Sequence, residues 1–236
     1  MEKIPFIFLD EDTMTVKKRI AIIGGTGKEG KGLAYRWAKA GYEVCIGSRK
    51  REKAEDAIKE IASMEKSGQK FSLIAAENEE AAKWGEIIVL TIPYAFHEDM
   101  LLQLKPFLQG KLFVDVTVPL VPPKVSIIQV PEEGSVALKS QKILGDDVQV
   151  ISAFQNISFE LLLKDDPIEC DVLLCGSDKA AREVGMQLVS DVGLNVWDAG
   201  PLENAIIAEG LTSILIRINK KFNTHSAGIK ITGIEK

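Results

Sequence analysis

The sequence predicts an α/β fold, doubly wound about a mostly parallel sheet and followed by a small second α/β unit. Three observations carry this. Short apolar runs, among them IAII at 20–23 and EIIVL at 86–90, alternate with amphipathic helical stretches along most of the chain, the pattern of a parallel sheet with helices on both faces. The first run leads straight into Gly25-Thr26-Gly27-Lys28-Glu29-Gly30 and then into LAYRWAKA, where Leu33, Ala34, Trp37 and Ala38 mark one face of a helix. The chain has 236 residues, 46% of them hydrophobic, which is ample for a substantial core.

In the first turn, Gly25 is expected to permit the bend, Gly27 to admit a pyrophosphate to the backbone, and Gly30 to let helix and strand approach. The helix N-terminus then offers N–H groups and the positive end of its dipole to the phosphates. Residues 25–31 also fit G-x-x-x-x-G-K, the start of a P-loop, but position 32 is Gly where that motif needs a hydroxyl for magnesium. A Rossmann-type dinucleotide turn is the stronger reading. Lys28 and Lys31 read as solvated residues of the helix start.

Gly41 is a natural helix stop, and YEVCI gives the second strand. Beyond it stands Gly47-Ser48-Arg49-Lys50-Arg51-Glu52-Lys53, where an NAD site usually carries a carboxylate for the ribose hydroxyls. A carboxylate would repel a 2′-phosphate, whereas Ser48, Arg49 and Lys53 offer it a hydroxyl and two cations, so NADP is the expected cofactor. A helix follows over 52–66, with Ala54, Ala57, Ile58 and Ile61 inward, closed by Ser67-Gly68. FSLIA is a third strand, Asn78 a cap for the short helix EEAAKW, and EIIVLTIP a fourth strand whose Thr91-Ile92-Pro93 end should lie near the cofactor.

His97 opens the next helix, either touching substrate or simply solvated. KLFVDVTVP supplies a fifth strand, the PLVPP segment at 119–123 breaks the alternation, and a helix in SVALKSQKIL precedes the sixth strand, VQVISAF. CDVLLCG, DKAAREVGMQLVSDVG and NVWDAGPL then read as strand, helix and strand. The longest helix, 202–222, carries Ile206, Ile207, Leu211, Ile214, Leu215, Ile218 and Phe222 on one stripe, suited equally to core or to a subunit interface. Arg217, Lys220, Lys221 and Lys230 near the end would meet an acidic substrate or favour the helix C-terminus.

A net charge of −5 gives no general reason to expect nucleic acid or a membrane surface. Without a membrane-length apolar run or a signal-peptide pattern, the expected compartment is the cytoplasm. Cys45, Cys170 and Cys175 form no C-x-x-C pair and read as buried thiols, and with His97 and His225 as the sole imidazoles a zinc site has little support. The domain division expected is an N-terminal extension at 1–17, a nucleotide domain at 18–154, and a small substrate or dimerisation domain at 155–236. Within the extension, Met14 is an alternative start, and the segment is read as frayed rather than as an arm on a neighbour.

Taken together, GGTGKEGKGLA, GSRKREKA, VLTIP, DVTVPLVPP, VISAFQNIS, DAGPLENA and AGIKI give the chain a likeness from about residue 19 to 232. It resembles the F420:NADP oxidoreductase family, NADPH-dependent reductases of the deazaflavin coenzyme F420. The resemblance implies a nucleotide domain plus a small C-terminal domain, with the deazaflavin in the cleft against the nicotinamide. It places Thr26, Ser48, Arg49 and Lys53 at the 2′-phosphate, with Gly25, Gly27, Lys28, Glu29 and Gly30 in the phosphate turn, and Thr91 and Pro93 beside the nicotinamide. It also places Ala153, Gln155, Asn156 and Ile157, with Ala227, Gly228 and Ile229, against the deazaflavin. Where archaeal-type members carry a histidine in the sixth-strand segment, this chain has Gln155 followed by Asn156, amides that hydrogen-bond but supply no cation. Direct hydride transfer needs no nucleophile or metal, so no catalytic side chain is expected. Two other readings stand beside this one: an NADPH-dependent reductase of an imine, flavin or small carbonyl compound, and a non-catalytic NADPH sensor. A homodimer is expected.

Overall fold

The structure, a computed structural model, describes residues 17–66 and 68–234; the expectations for the extension before residue 17 lie outside them. Strands are β1 Ile20–Ile23, β2 Glu43–Ser48, β3 Ser72–Glu77, β4 Ile87–Leu90, β5 Leu112–Asp115, β6 Gln149–Ser152, β7 Asp171–Gly176 and β8 Asn195–Asp198. Helices are α1 Lys28–Lys39, α2 Arg51–Ala62, α3 Asn78–Trp84, α4 His97–Leu104, α5 Val136–Leu144, α6 Phe159–Leu162, α7 Lys179–Asp191 and α8 Ala205–Phe222. Among the described residues these strands form one sheet in the order β3-β2-β1-β4-β5-β6-β7-β8. All neighbours are parallel except β6 and β7. The strand order reverses between β1 and β4, which makes their carboxyl ends the expected ligand crevice.

Successive strand side chains point to opposite faces, and both faces are covered. Ile20, Ile22, Val44, Ile46, Val89, Val114 and Ile151 join one core, with Leu33 and Trp37 of α1. Ala21, Ile23, Cys45, Leu90, Phe113 and Val150 join the other, with Ala81, Leu101 and Ala137. Cys170 and Cys175 fall on different sides and, with Cys45, are free and buried. The register sets Ile23 beside Leu90, Leu90 beside Asp115, and Asp115 beside Ser152. Four loops therefore leave the same edge of the sheet side by side.

Several boundaries differ from the sequence reading. Helix α2 ends at Ala62 rather than 66, because Glu65 leaves the helix to accept a hydrogen bond from the Phe71 N–H at 2.8 Å. The cap of α3 is Glu77, in a reciprocal capping box with Glu80, while Asn78 turns inward. Helix α8 buries its small-residue face, Ala205, Ala208, Gly210 and Ser213. Its apolar stripe is consequently no core: Ile207 and Phe222 are 63% and 67% exposed, and Ile214 and Ile218 are exposed too, with Leu215 alone of the stripe buried.

Candidate functional site

The turn after β1 is built by glycines with distinct duties. Gly24, not Gly25, takes the left-handed conformation, at φ 72°, and its N–H donates to Asn78 Oδ1 at 3.3 Å. At Gly25 a Cβ would lie 2.9 Å from the Ile22 carbonyl, and at Gly30 2.6 Å from the Gly25 Cα, so both are required by close approach. Gly27 is different: a Cβ there would meet only the Gly24 carbonyl, at 3.7 Å. It is exposed and caps α1 without a side-chain acceptor, which leaves its approach open to an anion. Thr26 beside it is half-buried. The Glu29 carboxyl, in the first turn of α1, is pushed up to about 8 by burial. Lys31 pairs with Glu60, and Lys28 Nζ sits 4.9 Å from the centre of the Phe159 ring, so neither is merely solvated.

At the end of β2, Ser48 is buried while Arg49 and Lys53 are exposed. Arg51 is already engaged, with Glu80 at 2.6 Å and the Ala75 carbonyl at 3.1 Å. Among the described residues Arg49 and Lys53 have no ion pair, so two cations stand beside the turn unneutralised. At the end of β4, the Thr91 hydroxyl donates to the Ile23 carbonyl at 3.1 Å and would meet a Cβ at Gly30. Pro93 is exposed and caps the short turn Tyr94–Phe96.

His97 is neither solvated nor at a surface: it is 1% exposed. Its Nε2 lies 2.9 Å from Asp115 Oδ2 and 3.0 Å from Ser140 Oγ, and Ser140 Oγ also donates to Asp115. The Thr117 N–H donates to Asp115 Oδ1 at 2.9 Å. Burial alone would raise the Asp115 carboxyl, but the facing His97 and the hydrogen bonds from His97, Ser140 and Thr117 hold it below the ordinary carboxylate range. This cluster escaped the sequence reading, although an acid inside the buried run FVDVTV was its signal.

The segments 153–157 and 227–229 are brought together through the start of β7. Asn156 Nδ2 donates to the Asp171 carbonyl at 2.7 Å, the Asp171 N–H donates to the Ile229 carbonyl at 2.9 Å, and Ser158 Oγ donates to the His225 carbonyl at 2.9 Å. A Cβ at Gly228 would lie 2.5 Å from Cys170 Sγ. Phe154, between Ala153 and Gln155, has φ 75°, an uncommon conformation for a bulky residue, and its ring meets Trp37 of α1 edge-on at 5.6 Å. That turn folds Gln155 back so that Nε2 donates to the Asp115 carbonyl at 2.7 Å and to Ser152 Oγ at 2.8 Å. The Gln155 and Asn156 side-chain oxygens are buried without a protein partner. Ala153 and Ile157 are buried, Ala227 and Ile229 half-buried, and Gly228 exposed.

Three comparisons bear on this arrangement. The family described as NADP oxidoreductase, coenzyme F420-dependent, matches residues 19–119. An F420-dependent NADP reductase of Methanocaldococcus jannaschii is 40% identical over 223 residues, covering 92% of this chain and 99% of that one. Its counterpart in Methanothermobacter marburgensis is 36% identical over the same shares. A solved structure from Arthrobacter sp. FB24, provisionally named an F420-dependent NADP-reductase, has a TM-score of 0.73 at 24% identity and covers 92% of this chain and all of its own, which speaks for the fold.

Proposed function

The chain belongs to the coenzyme F420-dependent NADP oxidoreductase family, and we propose that it transfers a hydride between NADP(H) and the deazaflavin coenzyme F420. The observation that carries this reading is the edge where the ends of β1, β4, β5 and β6 align, with a glycine turn open to an anion at one end and unpartnered buried amide oxygens at the other. The residues present fit both groups. Gly27 and the bare start of α1 would take the pyrophosphate, Thr26, Ser48, Arg49 and Lys53 the 2′-phosphate, and Thr91 with Pro93 would border the nicotinamide. Gln155 and Asn156, with Ala153, Ile157 and 227–229, would border the deazaflavin.

The two coenzymes supply the redox chemistry, a hydride passing between ring carbons. The protein's share is to stack the rings, hold their separation and exclude water. No side chain need accept a proton at the reacting atoms. On this reading the nucleotide unit is 18–154, and 155–236 completes the deazaflavin side and pairs two subunits along α8. The exposed stripe Ile207, Ile214, Ile218 and Phe222 supports the pairing. Three free buried thiols and use of NADPH support a cytoplasmic setting, and no helix among the described residues is long and apolar enough to cross a membrane.

The test is a steady-state assay of purified protein with NADPH and F420, free flavin or an imine in turn. Consumption of NADPH coupled to loss of the oxidised deazaflavin is expected. Turnover with flavin or imine alone would favour the other reductase reading, and tight NADPH binding without turnover would favour a sensor.

A further inference from the structure

Asp115 ends β5 in full burial and spends its polar groups on two neighbouring loops: its carboxylate holds the Thr117 N–H and its carbonyl holds the Gln155 amide. We propose that Thr117 is a further residue in contact with the deazaflavin, and that His97, Asp115 and Ser140 are the positioning network that aims it together with Gln155. The proposal rests on the deazaflavin reading above.

The register places Asp115 beside Ser152, so the residues that follow each of them leave the sheet side by side at its carboxyl edge, where ligands of such sheets lie. Helix α4 delivers His97 and α5 delivers Ser140 to the same carboxylate oxygen. Ser140 Oγ and Asp115 Oδ2 also meet at the same ring nitrogen of the histidine, Nε2, so the group orients the carboxylate and does not relay a proton from a nucleophile. An ionised group wholly inside a sheet is costly to bury, and Leu90 beside it on β4 and Phe113 two residues before it are apolar. Its return is placement of Thr117 and Gln155.

Once every internal partner is counted, Thr117 Oγ1 and Gln155 Oε1 still have none, although the residues are only 4% and 5% exposed. Buried polar atoms are normally paired, and valine would fill the place of threonine with no unmet hydroxyl. Two unmet polar atoms on adjacent strand ends, fixed by one residue, point to the polar edge of a ligand. The pyrimidine edge of a flavin-type ring alternates carbonyl acceptors with an imide N–H. An amide oxygen takes the N–H, and a hydroxyl can donate to a carbonyl.

Steady-state kinetics of T117V, T117S and S140A, with each coenzyme varied in turn, test this. T117V should raise KM for the deazaflavin about five- to tenfold while KM for NADPH stays within about twofold. Its melting temperature should not fall, and T117S, which keeps the hydroxyl, should behave like the unmutated protein. S140A should raise the same KM by a smaller factor. A deazaflavin KM unmoved in T117V, or T117S as impaired as T117V, overturns the contact. Equal rises for both coenzymes overturn its assignment to the deazaflavin, and an unmoved S140A overturns the network. No turnover by the unmutated protein overturns the deazaflavin reading and the contact with it, whereas normal turnover with an unresponsive T117V overturns the contact alone.

Discussion

A 2′-phosphate at the end of β2 would find cations of two kinds. Arg51 is tied to Glu80 and the Ala75 carbonyl, so moving it to a ligand would break contacts that hold α2 to β3 and α3. Arg49 and Lys53 have no such ties among the described residues. R49A should therefore weaken NADPH by about ten- to a hundredfold and leave NADH nearly unchanged, since one charge-assisted contact is lost in the first case only. Fluorescence titration of both cofactors checks this, and equal weakening would show that the phosphate lies elsewhere. The cations were legible in the sequence because a strand end and its following helix start are local features. Asn78 was not: its bond to the Gly24 N–H spans 54 positions in the chain and exists only because α3 packs across β1 and β2. The burial of His97 was hidden for a similar reason, since Asp115 and Ser140 reach it from two other elements.

Among the elements, α8 and α5 are joined by a buried acid. Glu209 accepts hydrogen bonds from the Val136 and Ala137 N–H groups at 2.9 and 3.1 Å, at the start of α5. Burial still pushes its carboxyl up to about 8, against those two donors and with Asp115 adding to the rise. The folded state thus holds a proton that the unfolded chain has released, and stability should fall as pH rises from about 4.5 to about 8, then level off. E209Q cannot ionise, so its melting temperature should decline less steeply than that of the unmutated protein across that range. Parallel declines in thermal melts would place the titrating group elsewhere. Most element types and their order were readable from periodicity, whereas the four-residue α6 and the ends were not: nothing local to 63–66 announces that Glu65 will serve the Phe71 N–H. In α8 the stripe was visible, but the helix packs through its small residues, Ala205, Ala208, Gly210 and Ser213.

For the whole molecule, the sheet runs on past the nucleotide half into β7 and β8, and the outer face of α8 stays apolar and exposed. Ile127 and Ile128, also exposed, lie against α8 at Ser213 and Gly210. A patch of this kind is expected to be covered by a second copy. Light scattering should find a dimer, and I214D combined with F222S should give a folded monomer; a monomeric unmutated protein would refute the pairing. On the proposed reading the aligned strand ends would hold two rings close enough for a hydride to pass directly between them. NADPH carrying deuterium at the transferable position of its nicotinamide ring tests this directly. Reduction of F420 by this protein should deliver the deuterium to the hydride-accepting ring carbon of the deazaflavin. Deuterium lost to solvent, or no reduced deazaflavin at all, would contradict it.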